Sequence, residues 1–443
     1  MKPQLRLDMM RRCSLLIVFL FCIDHVAWLE AAGVHTSSPI FNRDTAKNWV
    51  VLVAGSNSWY NYRHQADIFH AYQIVIGNNI SAENIITFAY DDIAYNRNNP
   101  FPGKVFNDYE HRDVYKGVVI DYRREEVTPK NFLAVLRGDK ELEAKGKKVL
   151  KSGPDDNVFI YFSDHGSESL IAFPQGVLYA RQLNETLAYM HENRMYNKLV
   201  LYVEACYSGS MFHEILPSDI EIYVTTAANE GESSWAAFCE DMQIDTCLSD
   251  EYSHNWLTDS ETHDLQAYTL EQQYKEVKKR TKQSHVMKYG EAEMGNITVG
   301  EFQGHYEKSM YLNDGSIAAA DRKPASQAHL FSMSRRLMKA TTEEEHKTAS
   351  RKLHRALQLG HIVKETFHDI IMDVTTHYQP TVNGLSKMDE LMCFEAVFDQ
   401  FQTRCFTIQQ VPEVAQHTSH LMELCKAGYE AETLIESVHN VCS

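Results

Sequence analysis

Three residues of this sequence have side chains that can act together in nucleophilic catalysis. Asn61, His165 and Cys206 each follow a short apolar run that is typical of a buried strand. The carboxyl ends of parallel strands meet at one edge of a sheet, so we expect these side chains to lie close together. An imidazole activates a thiol, and a third polar group can hold that imidazole in orientation. The pattern predicts Cys206 as nucleophile, His165 as its base and Asn61 as the orienting group.

The nucleophile needs donors that stabilise a developing oxyanion. The backbone N–H groups of Gly166 and Cys206 are expected to form this oxyanion hole, because glycine after His165 permits a close approach. Taken alone, Cys206 would be interpreted as a buried structural cysteine and His165 as an ordinary turn histidine. Their coincidence at matching strand ends favours catalysis.

The surrounding sequence alternates between predicted strands and predicted helices. The strands are expected at 49–54, 84–88, 158–162, 199–203 and 221–225, and the helices at 64–76, 131–136 and 183–190. This alternation predicts an α/β fold with a mainly parallel sheet covered by helices on both faces.

Size and charge limit the possible functions. The chain has 443 residues, enough for two domains, and a formal net charge of −17. The negative charge argues against nucleic acid as a partner. We expect a monomer that uses no cofactor and no metal ion.

The N-terminus is typical of a targeting segment. A pair of arginines precedes the apolar run 15–23, and small residues follow it, which predicts a secretory signal peptide over 1–32. Residues 33–47 would then form a short propeptide or arm. A membrane anchor needs about 20 apolar residues, and Asp24 ends this run too soon. With no other candidate span, we expect a soluble, lumenal or secreted protein.

The cysteine count agrees with a secreted protein that keeps one thiol free. Removing the signal peptide leaves seven of nine cysteines, so one has no partner in an oxidising compartment. Cys239 and Cys247 are close enough to close a small loop, and the last four can staple a C-terminal module, which leaves Cys206. Three sequons predict glycosylation in the secretory pathway, at Asn79, Asn184 and Asn296.

The C-terminal part differs in composition from the rest. Residues 313–327 are typical of a linker, and 335–377 are charged and amphipathic, which predicts one or two helices. The last part, with its four cysteines, is expected to be a small helical module.

Four motifs give the chain a resemblance to a known family. They are Tyr-Asn-Tyr-Arg-His-Gln-Ala-Asp (60–67), Tyr-Asp-Asp-Ile-Ala (90–94), Asp-His-Gly-Ser (164–167) and Glu-Ala-Cys-Tyr-Ser-Gly-Ser (204–210). They closely resemble those of the legumains, asparaginyl endopeptidases of the caspase-like cysteine protease clan that are called vacuolar processing enzymes in plants. The resemblance implies the catalytic roles given above for Cys206, His165 and Asn61.

The resemblance also implies a domain order and an inactive zymogen. A caspase-like peptidase domain is expected over 48–290, an activation peptide or linker over 291–334 and an all-α, disulfide-stapled prodomain over 335–443. The residues alone leave three pairings of the last four cysteines open. The family's spacing implies disulfides between Cys393 and Cys425 and between Cys405 and Cys442.

A specificity pocket for asparagine is implied in the same way. Its residues would be Arg63, His64, Glu204, Ser233, Ser234 and Asp250. An asparagine side chain offers two donors and one acceptor oxygen. Arg63 can donate to that oxygen, and Glu204 and Asp250 can accept from the amide. We expect cleavage on the C-terminal side of Asn through an acyl-enzyme, and of Asp at acid pH.

Two positions depart from the family pattern. Tyr207 stands where many members carry an acidic residue, and Lys339 stands where relatives have an asparagine at the prodomain junction. Self-cleavage is therefore predicted after Asn313, with Asp314 and Asp321 as alternatives in acid.

The expected setting is the lysosome, acidic vesicles or an acidic lumen, where carboxylates that hold the prodomain would be neutralised. Substrates would be proteins and peptides with Asn at the cleaved bond, and cystatin-type proteins are expected inhibitors. The alternatives are a peptide ligase of the same family, a GPI transamidase subunit, a non-catalytic binding module and an adhesion factor using Arg137-Gly138-Asp139. The transamidase would need a C-terminal membrane span, and we find no candidate for one.

Overall fold

The computed structural model describes residues 47–305, 317–382 and 384–443. The predicted signal peptide, nearly all of the expected N-terminal arm, and Asn313 and Asp314 lie outside these residues. Within them, the strands are β1 Asn48–Ala54, β2 Ile85–Phe88, β3 Asn157–Ser163, β4 Gly166–Ser167, β5 Leu170–Ala172, β6 Val177–Tyr179, β7 Lys198–Glu204, β8 Ile222–Thr226, β9 Trp235–Ala237, β10 Ser249–Asp250, β11 Met287–Gly290 and β12 Lys323–Pro324.

The helices of the same residues are α1 Tyr62–Gly77, α2 Pro129–Leu136, α3 Lys140–Ala144, α4 Ala180–Glu192, α5 Glu251–Thr262, α6 Leu270–Arg280, α7 Gly300–Gln303, α8 Ala328–Lys339, α9 Glu343–His377, α10 Lys387–Arg404, α11 Ser419–Lys426 and α12 Ala431–Val441. None of them is long and apolar enough to cross a membrane.

The main sheet has six strands in the order β11-β8-β7-β3-β1-β2. All neighbours are parallel except β11, which pairs antiparallel with β8. Alternate residues of β1 enter two different apolar clusters: Val50 and Leu52 pack with α1, α5 and α6, whereas Val51 and Val53 pack with α2 and α4. Helices thus cover both faces, which confirms the predicted α/β class and explains the continuous apolar runs.

The predicted elements agree with the observed ones to within a few residues. The helix expected from 64 begins at Tyr62, because a 3-10 turn at Trp59–Asn61 leads directly into it. The region 335–377, for which one or two helices are predicted, contains the end of α8 and all of α9. The helix α8 ends where Ala340 turns extended, and α9 begins after Thr342, whose hydroxyl accepts from the Glu345 N–H at 3.2 Å.

The C-terminal region is helical, as predicted, and has its own apolar core. Helices α9 to α12 share this core, and it extends onto β5 and β6 through Leu170, Ala172, Val177 and Tyr179. Disulfides join Cys393 to Cys425 and Cys405 to Cys442. The C-terminal helices therefore dock on the hairpin that directly follows His165. Residues 291–334, the expected activation peptide or linker, contain α7, β12 and the first half of α8.

Candidate active site

The central strands of the sheet end level with one another. Ala54 of β1 pairs with Ser163 of β3, and Ser163 pairs with Glu204 of β7. The segments that follow these three strands carry Asn61, His165 and Cys206. The order of the strands therefore brings the three predicted residues to one edge, where open α/β sheets place their ligands.

His165 and Asn61 are joined directly. The imidazole Nε2 lies 2.9 Å from Asn61 Oδ1. The Asn61 amide nitrogen donates to the carbonyl of Asn57 at 3.0 Å, which fixes the Oδ1 atom towards the histidine. With Oδ1 as acceptor, Nε2 must carry the proton, so Asn61 selects both the orientation and the tautomer of His165.

The thiol of Cys206 is buried and reduced. Its Sγ lies 3.3 Å from Ser233 Oγ and 3.8 Å from Ser234 Oγ. Burial raises the pKa of this thiol. Burial also lowers the pKa of His165, and the positive charge of Arg63 adds to that shift. Both shifts favour the uncharged form of the side chain in this covered site.

Because Gly166 has no side chain, the backbone after His165 can lie directly against the backbone of Cys206. A Cβ built on this glycine would lie 2.4 Å from the Cys206 carbonyl oxygen and 2.9 Å from Ala205 Cβ. Any side chain here would push the His165 loop away from the nucleophile.

Four of the predicted pocket residues, Arg63, His64, Glu204 and Asp250, form one buried cluster of ionisable side chains. Arg63 Nε donates to Asp250 Oδ1 at 2.8 Å. One oxygen of Glu204 accepts from the backbone N–H and the hydroxyl of Ser253, at 3.1 and 3.0 Å. His64 Nδ1 lies 2.7 Å from Ser56 Oγ. Ser253 and Ser56, which are not among the predicted pocket residues, thus hold Glu204 and His64, and Asp250 holds Arg63.

Three carboxylate oxygens of this cluster have no hydrogen-bond partner. They are Glu204 Oε1, Asp250 Oδ2 and Asp164 Oδ1. Burial raises the pKa of all three carboxyls, and for Glu204 and Asp164 the pKa lies well above the ordinary value. Repulsion from Asp250 adds to the shift at Glu204. Buried acceptors without donors are costly, so the cluster is suited to a ligand that brings N–H groups.

A short segment lies across the site, and we call residues 322–327 the blocking segment. Its strand β12 pairs antiparallel with β9, with Lys323 opposite Ala236. The Ala325 N–H donates to the Ser234 carbonyl at 2.9 Å, and Arg63 Nη2 lies 3.5 Å from the Ala325 carbonyl. Ser326 Oγ lies 3.2 Å from Ser233 Oγ, which in turn contacts the thiol. Ser233 and Ser234 therefore contact both Cys206 and the blocking segment.

The C-terminal helices cover the other side of the site. Their polar contacts to the peptidase part include those of Glu395 with Arg181 at 2.6 Å, Asp399 with Tyr179 at 2.6 Å, Ala415 O with Ser167 at 2.5 Å and Lys426 with Glu168 at 2.6 Å. His329, just beyond the blocking segment, lies 3.0 Å from Glu413. The contact between His329 and Glu413 thus connects the end of the blocking segment to the C-terminal helical region.

Several participants were not anticipated from the sequence. Ser56, Ser253 and Asp164 hold or face the pocket residues, and Glu168 contacts the C-terminal helices. Asp164 had one available signal, its place beside His165. Asp321, an alternative cleavage position, accepts a 2.5 Å hydrogen bond from Tyr109.

The expected glycan at Asn184 does not fit the structure. This side chain is buried in α4, and its Nδ2 donates to Ala180 O and Met211 O at 2.8 Å. An attached sugar would break both bonds. Asn79 and Asn296 are exposed. Of the cysteines expected outside the C-terminal module, Cys239 and Cys247 form a disulfide, and Cys206 is the free one among the described residues.

The Arg137-Gly138-Asp139 tripeptide has local structural roles. Arg137 Nη2 donates to Thr186 Oγ1 at 2.7 Å. Asp139 Oδ1 accepts from the first turn of α3 at 2.9 and 2.8 Å. Both side chains are engaged, which disfavours the adhesion hypothesis.

Comparisons with known proteins agree with this arrangement. The model of the peptidase C13 family matches residues 48–305, and that of the legumain prodomain matches residues 346–442. A hemoglobinase of Schistosoma japonicum is 47% identical over 403 residues, covering 90% of this chain and 94% of the relative. The human legumain is 42% identical over 408 residues, with coverage of 90% and 94%.

A plant relative extends the comparison. The vacuolar-processing enzyme delta-isozyme of Arabidopsis thaliana is 38% identical over 426 residues, covering 89% of this chain and 90% of that protein. With a C13 peptidase region followed by a legumain prodomain, and relatives matched over nearly their whole length, this chain belongs to the legumain family of cysteine endopeptidases.

Proposed function

We propose that this protein is an asparaginyl endopeptidase that is made as a zymogen and activated in acid. The observation that carries the proposal is the pair of unpartnered buried oxygens, Glu204 Oε1 and Asp250 Oδ2, opposite the donor Arg63. An asparagine amide matches this set, with one acceptor for the guanidinium and two donors for the carboxyls. Side chains without those groups would leave the pocket's polar atoms unpaired.

The proposed chemistry gives one role to each of the three candidate catalytic residues. In the uncovered enzyme, His165 takes the thiol proton while Asn61 holds the ring. The Cys206 sulfur attacks the carbonyl carbon of the substrate Asn, and the N–H groups of Gly166 and Cys206 stabilise the oxyanion. The peptide C–N bond then breaks, and His165 returns the proton to the leaving amine. Water hydrolyses the thioester, whereas an incoming amine would give ligation.

The covered site supports the zymogen part of the proposal. The blocking segment lies on the pocket, and α9 to α12 hold it in place through Glu413 and the docked hairpin. Matured enzyme therefore requires removal of both. Self-cleavage after Asn313 stays a proposal, as does the division into peptidase, activation and prodomain regions.

The pKa shifts of buried histidines support the proposal that a fall in pH destabilises the covered form. Burial lowers the pKa of His165 and of His417 in the covered form. A histidine with a depressed pKa contributes stability that is complete above its ordinary pKa of about 6.5 and is lost as the pH falls. Acid therefore favours the uncovered state. Burial raises the pKa of Glu395, so protonation of this carboxyl does not drive release.

The test is acid activation of the full chain, followed by assay with fluorogenic peptides that end in Asn, Asp or Gln. We expect cleavage after Asn to dominate at pH 6 and cleavage after Asp to rise as the pH falls. Cys206→Ala should abolish both. Equal cleavage after Asn and Gln, or activity that survives in Cys206→Ala, would refute the proposal. An acidic lumen such as the lysosome is the setting that fits this activation.

A further inference from the structure

The blocking segment reveals the direction in which a peptide crosses the site. Its chain runs antiparallel to β9 and reaches Ser326 next to Ser233, the neighbour of the thiol. A substrate bound in the same direction has its N-terminal part along β9. The part that leaves after cleavage then lies on the other side of Cys206, where we define the leaving-group side.

That side is formed by the turn after β4 and the turn after Cys206. The Ser169 N–H donates to Ser210 Oγ at 2.7 Å, and Ser210 Oγ donates to the Tyr207 carbonyl at 2.6 Å. Because Ser169 directly follows Glu168, these bonds hold Glu168 beside the turn that follows Cys206. The Glu168 side chain is 17% exposed and lines a cavity of about 440 Å³ together with Ser210.

The partner of Glu168 comes from the removable part of the chain. Lys426 of α11 places its ammonium nitrogen 2.6 Å from Glu168 Oε1. The other acidic peptidase residues that line the cavity are Glu214 and Glu230, and Glu230 accepts from Tyr289 within the peptidase part at 2.6 Å. When the prodomain leaves, Glu168 loses a cation, and the bond of Glu230 remains.

We propose that Glu168 is a specificity-determining residue that binds a Lys or Arg side chain on the C-terminal side of the scissile bond. Lys426 occupies this subsite in the zymogen and stands in for the basic side chain of a substrate. A half-buried carboxylate with a rigid backbone gives a short, charge-assisted bond to such a cation. The inference rests on the proposed function, because it assigns a second subsite to the same cleft.

The test uses the matured enzyme and internally quenched peptides with Asn at the cleaved bond. Lys, Gln or Glu is placed in turn at each of the first three positions after the Asn. We expect Lys to exceed Glu at one position by roughly tenfold in kcat/KM, as a bond between charged groups implies. Glu168→Gln should remove the preference, and Glu168→Lys should invert it.

Two controls separate this inference from the proposed function. An Ala-Ala-Asn peptide with a coumarin leaving group has no residue on the leaving-group side, so Glu168→Gln should leave its cleavage unchanged. Glu83→Gln, a matched change of an exposed carboxyl before β2, should keep the preference for Lys. A preference for Lys that survives in Glu168→Gln, or equal cleavage of the Lys and Glu peptides by wild type, would overturn the inference while the coumarin assay still reports the proposed activity.

Discussion

Replacing Glu204 by Gln tests whether the unpaired oxygen Oε1 of this side chain accepts a hydrogen bond from the substrate amide. The oxygen Oε2 is held by Ser253, whereas Oε1 is buried and has no partner. A Gln carbonyl can keep the two bonds from Ser253, which puts its NH2 group where Oε1 now faces the pocket. The substrate amide would then meet a donor instead of an acceptor.

The size of the effect follows from the bonds that are lost. Losing a hydrogen bond to a charged acceptor costs about 1.5–3 kcal/mol, and leaving a buried donor unpaired costs about 1–3 kcal/mol more. The sum of roughly 3–6 kcal/mol corresponds to about 10²- to 10⁴-fold in kcat/KM for Asn peptides. Burial and Asp250 raise the pKa of Glu204, so its acid form becomes populated as the pH falls. The difference between Glu204→Gln and wild type should therefore be largest at the upper end of the active pH range.

The assay compares peptides ending in Asn and Asp between pH 4.5 and 6.5. Titration of the thiol with iodoacetamide reports intact active sites, since this reagent needs no pocket. Asp67→Asn is the matched control, because Asp67 belongs to the same buried carboxyl cluster but already accepts from Asn107 and Ser249, at 2.8 and 2.7 Å. It should keep the preference for Asn. Wild-type kcat/KM for Asn in Glu204→Gln, with a normal thiol titre, would refute the role of this oxygen.

Three further changes address the base, the acid trigger and the prodomain. Asn61→Ala should lower kcat by roughly 10- to 10³-fold with little change in KM, because His165 loses its orienting acceptor; steady-state kinetics decides this. His417→Gln should move zymogen activation to lower pH, because it removes a group whose pKa is lowered by burial; the midpoint of activation against pH is the measurement. Opening the 32-residue loop with Cys393→Ser and Cys425→Ser should cost the prodomain about 2–4 kcal/mol of stability, visible in thermal unfolding.

The positions of the three candidate catalytic residues were predictable because strong local patterns identify the strands that precede them. Strands β1, β3 and β7 are apolar runs buried on both faces, and such runs are identified from sequence without knowledge of their neighbours. Once the strands are known to be parallel, their carboxyl ends must meet. The contact of His165 with Asn61 follows from that rule, since 104 residues separate them in sequence but one sheet edge holds both.

The blocking segment could not be predicted from local sequence patterns, as the strands of the main sheet could. Strand β12 has two residues, and it exists only because β9, itself three residues long, lies beside it. Neither segment has a period that could reveal it. The Lys426–Glu168 contact spans 258 positions and joins two exposed-looking charges, and sequence offers no reason to prefer that pairing over many others. The burial of Asn184 escaped prediction because a sequon reports composition and not the packing of α4.

The blocking segment covers the pocket without satisfying it. It brings the small residues Ala325 and Ser326 against Arg63 and Ser233, and Glu204 Oε1 and Asp250 Oδ2 stay without a hydrogen-bond partner. A segment that filled those acceptors would bind far more tightly, because each buried charged bond adds about 1.5–3 kcal/mol. The blocking segment is held directly, by its pairing with β9 and by the ion pair between Arg322 and Glu251. It is also linked to the docked helices, through the contact between His329 and Glu413. Exposing the pocket therefore requires that both sets of contacts be lost, and the segment that leaves does not satisfy the unpaired oxygens of the pocket.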